Sequence, residues 1–296
     1  KLNQQTEQLS PLSSRPTYTE TENDLTVKAN KRTFIFSKKD GQLKGVSVDN
    51  RKISFANGPR FIGARRADRS LDQFYNHDDE KAKEKDRTYS EFPDAAVFTK
   101  LDVKQDGGDL IVTANYKLGN LDKAQWTINP SGDLALDYTY NFSGVVDLMG
   151  IRFDYPEDQI ISKRWLGAGP YRVWQNRIHG TQYDVWENDY NDPIPGETFT
   201  YPEFKGYFGD VSWMNIQTKE GTISLTNETP DAYIGVYQPR DGRDRLLYTL
   251  PESGISVLNV IPPVRNKVNS TDLCGPSSQP KWVNGPQTGR VIFRFM

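Results

Sequence analysis

The chain has 296 residues, 37 basic against 39 acidic side chains, a formal charge of -2, and one cysteine, Cys274. Such a balance supplies no overall field for nucleic acid or an anionic membrane. One cysteine excludes an intrachain disulfide and a cysteine-based zinc site, and no run of 18 apolar residues exists to span a bilayer. The length is enough to bury a substantial core without cross-links.

Residues 1–20 are polar, carry Pro11 and Pro16, and read as a flexible tail or linker ahead of a domain over 21–296. They hold no apolar signal core. A chain starting at Lys1 reads as a processed product or a fragment of something longer. The lack of disulfides does not fix the compartment, with an extracytoplasmic one favoured. From Leu25 the period is two, the mark of strands with one buried face. Leu25, Val27 and Ala29 share a face, as do Phe34 and Phe36. Lys39-Asp40-Gly41 is a turn before Val46 and Val48, so 25–48 is a small meander.

Between Arg65 and Glu91 more than half of the residues are charged. Asp78 to Asp86 reads as a solvated loop or one or two helical turns with mixed-sign pairs. Asp78, Asp79 and Glu80 lack the spacing of a calcium loop. The alternation resumes at Leu110, Val112, Ala114 and Tyr116, then at Trp126 and Ile128. After the turn Asn129-Pro130-Ser131-Gly132 it continues through Leu134, Leu136, Tyr138 and Tyr140. Ile223 and Leu225 form another strand, and Val291, Phe293 and Phe295 a further one. The expectation is an all-β antiparallel sandwich of large sheets.

Trp165 to Trp213 is the distinctive stretch. It holds Trp165, Trp174, Trp186 and Trp213, several tyrosines, His179, and the breakers Gly167, Gly169-Pro170, Gly180, Asp192-Pro193, Pro195-Gly196 and Pro202. Aromatic faces beside Asn, Gln, Arg, Asp and Glu suit sugars: C–H faces pack on rings, and hydroxyls take paired bonds from planar polar groups. The competing reading is that the rings fill a β core.

Catalytic parts are sparse. His77 and His179 lie near no Gly-x-Ser-x-Gly elbow and show no zinc spacing. No phosphate loop and no cofactor motif is present, and Pro170 removes an amide that a phosphate nest at Gly167-Ala-Gly169 would use. Glycoside hydrolysis needs two carboxylates. Glu187, Asp189, Asp192, Glu197, Glu203 and Asp210 are plentiful, but nothing in their spacing pairs them.

Several segments, in order, resemble the C-terminal β-sandwich domain of family 2 glycoside hydrolases, the β-galactosidase group. Leu25–Ile53 is similar to that domain's opening strands, with the Lys39-x-Gly41-x-Leu43 turn. Gly58-Pro59-Arg60-Phe61 and Arg66-Ala67-Asp68 sit where the family has Arg-Ala-Pro-x-Asp-Asn-Asp, without its proline and full acidic run. Leu166-Gly167-Ala168-Gly169-Pro170 with Trp174, Asn176 and Arg177 resembles a Gly-x-Gly-Pro, aromatic, Asp/Asn-Arg signature. Tyr201-Pro202-Glu203, Gly206 and Asp210-Val211-Ser212-Trp213 resemble Pro-x-Glu, Gly, Asp-Val-x-Trp. Near the C-terminus, where the family often presents a tryptophan to the sugar, residues 269–276 have no aromatic; Trp282 comes later.

The resemblance implies a galactose-mutarotase-like supersandwich whose parent enzyme carries its catalytic glutamates on a separate (β/α)8 barrel. The leading expectation is therefore a non-catalytic, carbohydrate-associated module that walls the sugar site of that barrel. In it Trp174 and Trp186 supply ring faces, while Asn176, Arg177, His179 and Glu203 bond hydroxyls. Its partners would be carbohydrate and the barrel, with no cofactor and no metal. The alternatives are a stand-alone mutarotase-like epimerase or lyase on the same sandwich, and a structural interaction domain.

Overall fold

The computed structural model describes residues 14–66, 89–192, 194–196, 204–236, 250–263 and 275–296. The first meander comprises β1 (Thr17–Glu20), β2 (Asp24–Ala29), β3 (Arg32–Ser37), β4 (Leu43–Val48) and β5 (Arg51–Ile53). Then come β6 (Ala56–Arg66), β7 (Tyr89–Glu91), β8 (Val97–Asp106), β9 (Asp109–Lys117), β10 (Leu121–Ile128) and β11 (Leu134–Val146). The chain continues through β12 (Leu148–Asp154), β13 (Ile160–Gly169), β14 (Gln182–Asp189), β15 (Trp213–Thr218) and β16 (Gly221–Asn227). The last strands are β17 (Tyr233–Val236), β18 (Ile255–Val260) and β19 (Lys281–Phe295).

Among the described residues these strands form two antiparallel sheets. The first has ten strands in the order β1-β2-β3-β4-β6-β12-β18-β17, with β5 on β4 and β7 on β6. The second has nine, in the order β14-β13-β15-β16-β19-β11-β10-β9-β8. Period-two alternation gives each strand one face for the space between the sheets. There Phe34, Phe36, Phe55, Phe61 and Phe153 of the first sheet and its flanks meet Trp126, Tyr140, Phe293 and Phe295 of the second. Phe61 and Tyr140 lie 5.4 Å apart between ring centroids and Phe36 and Trp126 5.9 Å, within the range of favourable aromatic pairs. The expected all-β antiparallel supersandwich is the fold observed.

One detail departs from the sequence reading. The polar tail ends before residue 20, because Thr17–Glu20 pairs with β2 in register Thr17↔Lys28 to Glu20↔Leu25. Its four residues are all exposed, so backbone pairing with no apolar face holds the strand, and no hydrophobic pattern announces it. The segment Asp78–Asp86, read as a solvated loop or helical turns, lies outside the described residues.

β6 is buried on both faces. Phe61 points into the sandwich, whereas Ile62 and Ala64 point away and join a second cluster with Leu148 and Leu258. Buried apolar groups on an outer sheet face need a cover. The chain supplies it from the segment between β13 and β14.

Candidate functional site

β13 and β14 are neighbours, paired from Ser162↔Asp189 to Gly169↔Gln182. Residues 170–181 leave this hairpin and fold over the outer face of the first sheet. Val173 bridges Tyr207 through backbone bonds of 2.7 and 2.8 Å, and Phe208 bridges Ile234 of β17 at 2.9 Å in both directions. Gly206 makes this contact possible, since a Cβ there would sit 1.9 Å from the Val173 carbonyl oxygen. Trp174 then packs edge-on against Tyr207, centroids 5.7 Å apart, in the cluster with Ile62, Ala64, Leu148 and Ile261.

Trp174 and Arg177 close a tight turn: the Trp174 N–H donates to Arg177 O at 3.3 Å, and the Arg177 N–H to Trp174 O at 2.8 Å. The tip is tied down from both sides. The Gln175 N–H donates to Pro262 O at 3.0 Å and its Nε2 to Gln279 O at 2.7 Å; Asn176 Nδ2 reaches Ser278 Oγ at 3.3 Å. The Arg177 guanidinium lies 4.4 Å from the centroid of the Phe204 ring, a cation–π distance. Tyr171 meets the same ring edge-on at 5.1 Å, and its hydroxyl donates to His179 O at 2.8 Å. Half-buried Asn176 and Arg177 and exposed His179 thus sit on one braced rim.

Two buried basic side chains anchor its base. Lys163 of β13 is 1% exposed, donates to Asp189 O at 3.2 Å, and lies 5.3 Å from the Tyr190 ring centroid. Arg172 is 2% exposed and donates to Asn191 O at 3.1 Å and to Asn191 Oδ1 at 3.2 Å. Burial lowers the pKa of Lys163 well below the usual lysine range, and the charge of Arg172 adds to it, against the opposing Asp192 and Asp189. Burial also draws Arg172 down to about 10, with Asp192 opposing.

Further along the outer face of the first sheet lies a polar groove of about 730 Å³. Arg60 of β6 and Arg152 of β12 stand opposite each other in register. Arg60 pairs with Asp154, which also accepts from Asn57 Nδ2 at 2.9 Å, while Arg152 reaches Glu91 at 3.3 Å and the Glu252 carbonyl. Tyr155, at the groove's end, donates to Glu220 at 2.9 Å. Burial, reinforced by the Glu220 charge, holds its phenol well above the ordinary value. These guanidinium, carboxylate and amide groups present the planar, paired donors and acceptors that bond hydroxyl-rich ligands.

The family described as beta galactosidase small chain matches residues 28–264. The chain belongs to that family.

No curated protein matches the chain. Among solved structures, the small-chain domain is similar to galactose 1-epimerase from Lactobacillus acidophilus NCFM, at 9% identity, over 96% of this chain and 99% of that one, with a TM-score of 0.48. A GalM/aldose epimerase homologue from C. elegans is similar at 7% identity, over 95% and 99% of the two chains, TM-score 0.37. A copper-containing benzylamine oxidase from Hansenula polymorpha is similar at 8% identity, over 100% of this chain and 64% of that one, TM-score 0.37.

Within the small-chain domain the six residues singled out from sequence do not form one constellation. Asn176, Arg177 and His179 share the rim. Trp174 is corrected: at 1% exposure it has no open ring face, because burying that ring is what fastens the turn to the sheet. Arg177 stacks on Phe204. Trp186 sits on edge strand β14, half-buried beside Gly169 at the foot of the excursion, its Nε1 donating to Gln182 O at 3.2 Å. Glu203 lies outside the described residues. Sequence reasoning missed Arg152, Asp154 and the buried Lys163 and Arg172. Arg60 and Arg152 did carry a signal, as charged residues interrupting otherwise buried strands.

Proposed function

We propose that the chain is a non-catalytic, carbohydrate-associated domain of a β-galactosidase-like glycoside hydrolase, walling or completing the sugar site of a separate catalytic barrel. The observation that carries this reading is membership of the small-chain family across residues 28–264. The braced rim supports it. A turn pinned at Pro262, Ser278 and Gln279 presents an amide and a guanidinium with little freedom to lose on binding, which favours affinity for a polar ligand. In this reading Asn176, Arg177, His179 and Glu203 bond sugar hydroxyls, Trp186 offers a ring face at the base, and Trp174 holds the turn in place.

Isothermal titration of the chain with lactose tests the assignment. Arg177→Ala is expected to weaken binding at least tenfold while the fold is kept. Equal affinity of the two proteins removes Arg177 from the site. The chain alone is expected to release no nitrophenol from nitrophenyl β-galactoside, and sustained hydrolysis by the purified chain overturns the non-catalytic reading.

A further inference from the structure

Of the six tryptophans, Trp282 alone stands largely in solvent, at 72% exposure. It lies on β19 opposite Val145 of β11, in a pairing that continues through Asn284↔Ser143, Pro286↔Asn141, Thr288↔Thr139 and Arg290↔Asp137. Among the described strands, β16 pairs with β19 only from Val291 onward, and β10 reaches along β11 no further than Tyr140. Residues 141–146 and 281–286 are therefore a two-stranded ribbon extending past the second sheet. Its inner side is fixed by Phe142, which packs on Phe61 at 6.0 Å and Phe92 at 5.1 Å. Alternation then sends Trp282, Asn284 and Asn141 outward.

The outward groups are held in orientation. Ser143 Oγ donates to Asn284 Oδ1 at 2.8 Å, which leaves the Asn284 amide N–H groups aimed away from the ribbon. Asn141 Nδ2 donates to Asp122, leaving its carbonyl oxygen outward, and Asn120 Nδ2 braces the Asn141 backbone at 2.8 Å. The same face runs on past Thr139 and Thr288 to a cavity of about 390 Å³ beside Arg290. There one guanidinium is shared by two carboxylates, Asp137 at 2.5 Å and Glu228 at 3.0 Å. Lys123 lines the same cavity, so its four charged side chains sum to zero.

We propose that this face is a saccharide-binding track, distinct from the rim around Trp174, for a neutral linear oligosaccharide. A ring stacks on Trp282, the amides of Asn284 and Asn141 take hydroxyls along the ribbon, and the Asp137–Arg290–Glu228 group holds the far end by paired bonds. From Trp282 to Arg290 the strand rises roughly 26 Å at ~3.3 Å per residue, which calls for an oligosaccharide and not a single sugar. The cancelled charge in the cavity and the amide row argue against a uronate chain. The track stands on its own observations and does not require the rim reading.

The test is titration of the intact chain with β-1,4-galactohexaose, with hexagalacturonate as the anionic comparison, following heat and acrylamide quenching of tryptophan emission. The neutral hexasaccharide is expected to bind and to shield Trp282 from quenching. Trp282→Ala and Asn284→Ala are each expected to bind the hexasaccharide at least tenfold more weakly. Trp282→Ala removes only an exposed ring, so its unchanged melting is the control for folding. Wild-type affinity in Trp282→Ala, absence of binding at millimolar ligand, or tighter binding of hexagalacturonate each overturns the proposal. If hexasaccharide binding is lost in Arg177→Ala and kept in Trp282→Ala, the rim reading stands and the track falls. Self-association in sedimentation that Trp282→Ala abolishes makes the occupant a second copy of the chain and also overturns it.

Discussion

Replacing Trp174 by alanine separates a core ring from a sugar-stacking ring. Trp174 is 1% exposed, packed among Ile62, Ala64, Leu148 and Ile261 and set edge-on against Tyr207. An aromatic side chain of this size buries ~200 Å², worth about 5 kcal/mol at roughly 25 cal/mol per Å² as an upper bound. Core tryptophan-to-alanine changes cost about 3–5 kcal/mol. Unfolding entropy of ~2.1 cal/mol/K per residue over 296 residues is about 0.6 kcal/mol/K, so the melting midpoint should fall by roughly 5–8 °C. Trp282→Ala, at 72% exposure, should shift it by under about 1 °C. Thermal unfolding followed by near- and far-ultraviolet circular dichroism reads both. A Trp174→Ala protein melting within about a degree of wild type would refute the covering role assigned to this ring.

The buried Lys163 gives a pH signature. Its folded pKa is depressed below the unfolded value, so above the folded pKa the unfolded chain binds the extra proton, and stability rises with pH up to the unfolded lysine pKa. Urea unfolding between neutral pH and about pH 9.5 should show this rise, and Lys163→Met should flatten it while gaining ~1–4 kcal/mol at neutral pH. A wild-type slope retained in Lys163→Met sinks the assignment. At the acid end, burial works to raise the Asp133 pKa, but the hydrogen bonds and charge of Arg294, with Asn129 and Arg32, outweigh it and leave the value lowered. Its contribution is present above the unfolded carboxylate pKa and lost as pH falls through the folded one. Arg294→Ala should therefore lose stability at neutral pH and show a shallower acid transition in the same assay. Gly206→Ala places a Cβ 1.9 Å from Val173 O, and equilibrium unfolding should register about 1–3 kcal/mol of overpacking. If amide exchange of Val173 and Tyr207 is unchanged in that variant, their bridge does not depend on a bare glycine.

The strands were legible because each needs only local alternation: Leu25, Val27 and Ala29 read as a buried face and are one, as are Leu134, Leu136, Tyr138 and Tyr140. β1 was not, since four exposed residues carry no apolar period and are held by backbone pairing with β2 and the Lys38–Glu20 ion pair. Asn176, Arg177 and His179 were picked for their chemistry and stand together on the rim. Trp174 and Trp186 were picked on the same ground and part company, because a ring's exposure depends on what folds over it. Nothing in the sequence marks Lys163 and Arg172, since such residues ordinarily lie at the surface. They are buried because the 189–192 segment closes over them.

Residue order alone thus determined the layered β architecture and the kinship with the β-galactosidase small chain. Periodicity and turn chemistry act between residues near in sequence, so they survive without coordinates. Which tryptophan is sealed and which stands in water was decided only by the tertiary structure. That outcome turns on contacts between segments far apart in the chain, Val173 with Tyr207, Gln175 with Pro262 and Gln279, Trp282 with Val145, and no local pattern encodes them.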